Sequence, residues 1–174
     1  MSRLKMIDTP WAVDILHEGT QILKSMKLKY WLSSGTMLGI HREGKLIDHD
    51  DPDIDLGIQE PLDHEMLKEK FLSSDFTLFA EGTHQIVFIK NKILFDMYFY
   101  KQVEDELHCF IEGLGTVVKP YKLFEKLGRV KFNGHYYPTP SPVGEYLRVR
   151  YGDWETPKKR KVSWTKETPA LKKH

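Results

Sequence analysis

Apolar positions along the chain switch between helical and strand periods. Ile15, Leu16, Gly19, Ile22, Leu23 and Met26 share one face of a 3.6-residue period. Thr9 can cap that helix and Pro10 suits its first turn, which predicts a helix ending near Lys27. Residues 29–33, Lys-Tyr-Trp-Leu-Ser, read as a short strand. Gly35-Thr36 opens a second, short helix that Gly44 terminates. Residues 53–59 alternate as a strand, and 62–73 suit a helix. Three strand-like runs follow at 76–81, 85–90 and 93–100, the last two joined by a turn at Asn91-Lys92. A further strand is predicted over 107–112 and a short helix over 122–127. Residues 129–137 read as a hairpin around Asn133-Gly134. Ser141 caps a last helix that Gly152 ends.

Helices and strands mix without strict alternation, which predicts an α+β (mixed α/β) fold with a mixed sheet flanked by helices. The chain has 174 residues, the size of one domain. We divide it into a folded body, 1–157, and a basic, flexible tail, 158–174. The tail holds seven Lys or Arg and one acid, a charge of +6, against +1 for the whole chain, so the body carries −5. A nucleic-acid binder is basic in its body, so no nucleic-acid partner is expected. No run approaches the ~18 apolar residues of a membrane helix, and the N-terminus lacks a signal-peptide core. A cytoplasmic protein without a transmembrane segment is the expectation. The single cysteine, Cys109, excludes an internal disulfide framework and a Cys-rich metal site. Set between His108 and Phe110, it reads as a buried, inert thiol.

The densest chemistry lies in Ile47-Asp-His-Asp-Asp-Pro-Asp-Ile-Asp-Leu-Gly-Ile58. Asp53 and Asp55 are two apart on a strand and share a face, while Ile54, Leu56 and Ile58 face the core. Gly57 follows on the carboxylate face and leaves open space beside them. Two close carboxylates repel, and a hard divalent cation, Mg²⁺ or Mn²⁺, relieves that repulsion. An EF-hand is excluded: from Asp51 the sixth position is Leu56 and the twelfth Leu62, and from Asp48 the fifth is Pro52. A solvated acidic turn explains Asp48, Asp50 and Asp51 as well as ligation does, so these stay unassigned. Asp96 is the only acid in Ile93–Tyr100, and an unpaired carboxylate is costly to bury. Either a cation shared with Asp53 and Asp55 or a salt bridge to Arg or Lys would offset that cost.

Upstream, a strand runs into Ser34-Gly35-Thr36 and then a helix. Backbone N–H groups at such a start can bind phosphate, and Arg42 lies about two turns on. The same residues also cap ordinary helices. No Gly-Lys-Ser/Thr of a Walker loop is present.

Tyr30-Trp-Leu-Ser-Ser-Gly-Thr-Met-Leu-Gly-Ile-His-Arg42 followed by Ile47–Ile58 resembles the LicD/fukutin family, part of the nucleotidyltransferase superfold. Asp96 in Leu-Phe-Asp-Met-Tyr matches its later strand carboxylate, and Phe132–Pro138 and Tyr151–Pro157 resemble its closing motifs. The resemblance covers about residues 28–160. It departs from the family where Asp48-His49 replace the usual run before the acids and where Pro52 interrupts them. The resemblance implies transfer of a phosphorylated alcohol, such as phosphocholine or ribitol phosphate, from a CDP-activated donor to a glycan or glycolipid acceptor. It implies Asp53, Asp55 and Asp96 as catalytic metal ligands, with Ser34, Gly35, Thr36 and Arg42 on donor phosphates. The competing readings are transfer of NMP from an NTP with release of pyrophosphate, and a non-catalytic nucleotide- or glycan-binding module.

Overall fold

A computed structural model describes residues 10–46, 53–157 and 168–173. The Thr9 cap, Asp48, Asp50, Asp51 and most of the basic tail lie outside the described residues. The elements run α1 (Pro10–Ser25), β1 (Tyr30–Leu32), α2 (Ser34–Glu43), β2 (Asp53–Gln59) and α3 (His64–Leu72). Then come β3 (Thr77–Glu81), β4 (Gln85–Lys90), β5 (Ile93–Val103), β6 (Glu106–Ile111), β7 (Gly115–Pro120) and α4 (Lys122–Glu125). β8 (Gly128–Phe132), β9 (His135–Thr139), α5 (Val143–Tyr151) and β10 (Leu171–Lys172) complete the chain.

This is the mixed α+β architecture that the periodicity predicts. The main sheet runs β1-β2-β5-β6-β7-β10, with β4 also beside β5 and β3 beside β4. β2 and β5 are parallel; the other neighbours are antiparallel. β8 and β9 form a separate hairpin. Both predicted turns appear, with positive φ at Asn91, Lys92, Asn133 and Gly134, as two-residue hairpin loops require.

The two faces of the β2–β5 pair do different work. Ile54, Leu56, Ile58, Phe95 and Met97 are fully buried. Gly19 of α1 lies so close to the Phe95 ring that a Cβ there would collide with it. Phe71 of α3 stacks on Phe88 at 4.7 Å and meets Phe95 at 5.4 Å. The opposite face carries Asp55 and Asp96 under α2.

Four expectations change. Gly57 does not open space beside the carboxylates, because the Trp31 indole fills it. Antiparallel pairing sets Trp31 directly across from Gly57, and the indole is completely buried. β7 went unread because Glu112-Gly-Leu-Gly115 is a turn, with φ +76° at Gly113 and +137° at Gly115, and the run after it is short and interrupted by Lys119. The tail is not loose throughout: Leu171 and Lys172 pair with Val117 and Thr116 of β7. Gly115 permits that approach, since a Cβ there would strike the Lys172 carbonyl. Finally, Pro142 rather than Ser141 precedes α5, with no side-chain cap. Among the described residues no helix is long and apolar enough to cross a membrane.

Gly57→Ala is expected to destabilise the protein by about 1–3 kcal/mol, because the new methyl displaces a packed indole. Gly144→Ala, whose Cβ would meet Trp154 at an ordinary 3.5 Å, is expected to change stability by less than about 1 kcal/mol. Urea denaturation of both variants measures the contrast.

Candidate active site

The parallel register pairs Asp55 with Asp96. Neighbouring strands lie about 4.8 Å apart, so two side chains on one face at matched positions are immediate neighbours. Asp55 is 9% exposed. Three contacts from the start of α2 fix it. The Gly35 N–H donates to Asp55 Oδ2 at 3.1 Å. The Asp55 N–H donates to Thr36 Oγ1 at 2.8 Å. The Ser33 N–H donates to the Asp55 carbonyl at 3.0 Å.

Asp96 Oδ1 is buried and has no hydrogen-bond partner. Burial first, and the Asp55 charge second, push the Asp96 carboxyl up to about 8. A hydrogen bond from Tyr98, on the same strand face, offsets part of this. Tyr98 in turn is held far above its usual value by burial and by both carboxylates.

Asp53 precedes Asp55 on the same strand. It sits at the first position of β2, opposite Leu94, and a two-residue step puts its Cα about 6.6 Å from that of Asp55. Among the described residues no three His, Cys, Asp or Glu side chains converge on a metal position. The pair still fits a hard cation. It offers carboxylate oxygens, one of them without a donor, and Mg²⁺ is commonly held by one or two carboxylates plus water and substrate phosphates.

The expected phosphate cradle is turned inward. Gly35 N–H and Thr36 Oγ1 serve Asp55, and the Ser34 N–H donates to the Tyr146 hydroxyl at 2.9 Å. That hydroxyl also bonds Ser33 Oγ at 2.9 Å. Ser34 adopts φ +44°, a strained value for a residue with a Cβ. Arg42 is not at this end of α2. Eight residues at ~1.5 Å rise carry it about 12 Å along the helix. There its Nη2 meets Glu43 at 2.7 Å and its Nη1 donates to the Trp154 carbonyl at 3.1 Å. Trp154 also packs on His41 at 5.3 Å and donates to the Gly144 carbonyl at 3.1 Å. The closing Tyr-Gly-Asp-Trp motif therefore latches α2 to α5.

Three residues that the sequence reading passed over surround the helix start. Tyr146 and Arg150 are four apart on α5 and share its inner face. The Arg150 Nε donates to Ser34 Oγ at 3.4 Å. Lys119 of β7 is 1% exposed, donates to the Tyr100 hydroxyl at 2.9 Å, and lies 4.6 and 5.1 Å from the Tyr100 and Tyr146 rings. Burial lowers its pKa. A lone cation in Thr-Val-Val-Lys-Pro was the available signal. A separate open groove of about 880 Å³ lies where β5 passes from β2 to β6, lined by Gln59, His84, Phe99, Lys101, His108 and Phe110 among others.

This fold, with a carboxylate pair on parallel strands under a helix start, defines a nucleotidyltransferase-type domain. Its architecture is similar to that of the lincosamide antibiotic adenylyltransferase LnuA in its lincomycin-bound form, at TM-score 0.58 and 13% identity over 83% of this chain and 87% of that one. It is also similar to ANT(2")-Ia in complex with adenylyl-2"-tobramycin, at TM-score 0.51 and 14% identity over 76% and 70% of the two chains. Residues 27–142 match the LicD/FKTN/FKRP nucleotidyltransferase domain, and the chain belongs to that family. A relative, the uncharacterized protein RP689 of Rickettsia prowazekii (strain Madrid E), is 25% identical over 154 residues. The match takes in 81% of this chain and 54% of that protein, so the chain spans about half the length of this relative.

With no divalent cation added, stability is expected to fall as pH rises from about 4 to about 8. Over that range the unfolded chain has released the Asp96 proton and the folded protein, with its carboxyl near 8, still holds it. Asp96→Asn is expected to flatten this slope and raise stability at pH 8. Thermal unfolding across pH measures it, and an unchanged slope refutes the assignment.

Proposed function

We propose that the chain is a metal-dependent transferase that moves a phosphorylated alcohol, of the phosphocholine or ribitol-phosphate kind, from a CDP-activated donor to a glycan or glycolipid acceptor. The observation that carries this reading is the Asp55–Asp96 pair, matched across parallel strands with one oxygen unpartnered. Family membership supports a phosphotransferase role.

Asp55 and Asp96 would hold Mg²⁺ or Mn²⁺, with Asp53 available from the strand entrance. A cation there would neutralise donor-phosphate charge as the leaving group departs. The protein's own part is orientation. Gly35 and Thr36 fix the Asp55 carboxylate and backbone, so the negative centre needs no rearrangement when the donor binds. Tyr98 holds Asp96 from its own strand. In the transfer step the acceptor hydroxyl oxygen bonds to phosphorus, the bond from phosphorus to CMP breaks, and the hydroxyl proton passes to a site carboxylate. CMP carries away the bonding electrons.

The test is a panel of CDP-choline, CDP-ribitol, sugar nucleotides and NTPs with Mg²⁺ or Mn²⁺, scored for CMP against pyrophosphate. CMP release from a CDP-alcohol is expected, and removal of the divalent ion is expected to abolish it. Asp55→Asn and Asp96→Asn are each expected to lower turnover by about 10²–10³-fold, the scale for losing one preorganised electrostatic group. Pyrophosphate release from an NTP replaces this reading with nucleotidyl transfer.

A further inference from the structure

Two cations are buried behind the start of α2, and neither is matched by a carboxylate. Arg150 is 8% exposed and Lys119 1%. Among the described residues neither forms an ion pair; their polar partners are the hydroxyls of Ser34, Thr168, Tyr100 and Tyr146. A guanidinium has five N–H donors in a fixed fork. Arg150 directs one to Ser34 Oγ at 3.4 Å and one to Thr168 Oγ1 at 2.6 Å, and its guanidinium lies 4.6 Å from the Tyr151 ring, so part of the fork stays open to a further acceptor. A guanidinium whose partners are all neutral and whose fork has donors to spare can take an anion as its charged partner.

The placement is specific. Ser34 immediately precedes Gly35, whose N–H grips Asp55. An anion bridging the Arg150 fork and the Ser34 hydroxyl would sit one residue from the amide that grips Asp55. The fork is fixed from behind. Thr168 belongs to the C-terminal segment, which is sewn to β7 by the Val118 N–H to Ala170 carbonyl bond at 2.9 Å and by the Leu171–Val117 pairing. Lys119 lies boxed by the Tyr100, Phe124 and Tyr146 rings, without reaching the site itself.

We propose that Arg150 and the Ser34 hydroxyl form the phosphate subsite of this centre, the role that sequence order suggested for Arg42. The proposal rests on the phosphoryl-transfer reading for its biological ligand. Its test does not need turnover. Inorganic pyrophosphate binding to the full chain, with and without Mg²⁺, is measured by calorimetry for wild type, Arg150→Gln, Arg150→Lys, Ser34→Ala and Arg42→Gln. Circular dichroism checks that each is folded. Arg150→Gln is expected to weaken binding at least ~10-fold, the scale of a charge-assisted contact. Lysine at this position is expected to restore part of the affinity, because it keeps the charge and loses the fork. Ser34→Ala is expected to weaken binding several-fold while leaving the buried cation in place, so it decides the matter if Arg150→Gln does not fold. Arg42→Gln is expected to bind as wild type. Unchanged binding in both Arg150→Gln and Ser34→Ala, or no pyrophosphate binding by wild type, overturns the subsite. CMP release that persists in Arg150→Gln would then leave the transferase reading standing alone.

Discussion

The parallel pairing of β2 with β5 sets Asp55 beside Asp96, Gly57 beside Tyr98 and Gln59 beside Tyr100. Side chains alternate across a strand, so a one-residue slip would send every carboxylate to the opposite face, against α1 and α3. The register is pinned by what that opposite face buries. Ile54, Leu56, Ile58, Phe95 and Met97 are fully excluded from water, and each large apolar side chain contributes about 1.5–3 kcal/mol when buried. That core gain holds two carboxylates together at a cost that shows in the raised Asp96 proton affinity. Electrostatic repulsion at the site is thus sustained by hydrophobic packing one strand-thickness away.

The start of α2 answers to the same constraint. A helix N-terminus carries partial positive charge, and here the Gly35 amide points at Asp55 rather than into solvent. The Tyr146 hydroxyl takes the Ser34 N–H and pairs with Ser33 Oγ. Between them Ser33, Ser34, Gly35 and Thr36 lock strand, helix and carboxylate into one unit. The strained φ of Ser34 is stable because its amide and hydroxyl are both engaged. The Trp154 latch fixes the other end of the helix, with Arg42 as one of its members.

Much of this was legible in the sequence, because it is written in local periodicity. Asp53-Ile-Asp55-Leu-Gly-Ile has the alternation of a half-buried strand, and a single acid in Ile93–Tyr100 stands out against its neighbours. Both signals lead to the pair that the structure forms. What the sequence could not show depends on partners distant along the chain. Gly57 reads as open space until Trp31, placed opposite by antiparallel pairing, occupies it. Arg42 follows the Ser-Gly-Thr turn closely in sequence, yet helical rise carries it away, while Arg150 returns to Ser34 from 116 residues on. The last residues of a basic tail look solvated by composition, and only the narrow passage at Gly115 lets them add a strand.

Lys119 shows how the two charged layers are kept apart. Its ammonium is enclosed by the Tyr100, Tyr146 and Phe124 rings at 4.6, 5.1 and 6.0 Å. Ring faces attract a cation, which offsets part of the burial that lowers the Lys119 pKa. The aromatic enclosure leaves a layer of basic groups, Lys119 and Arg150, behind the helix start and a layer of carboxyl groups, Asp55 and Asp96, in front. A ligand that is itself layered, anionic phosphate with an associated cation, is the chemical counterpart of that arrangement. Neither layer alone would recognise it, since the cations by themselves accept any anion and the carboxylates any hard cation. The short link from Ser34 through Gly35 to Asp55 connects the two layers.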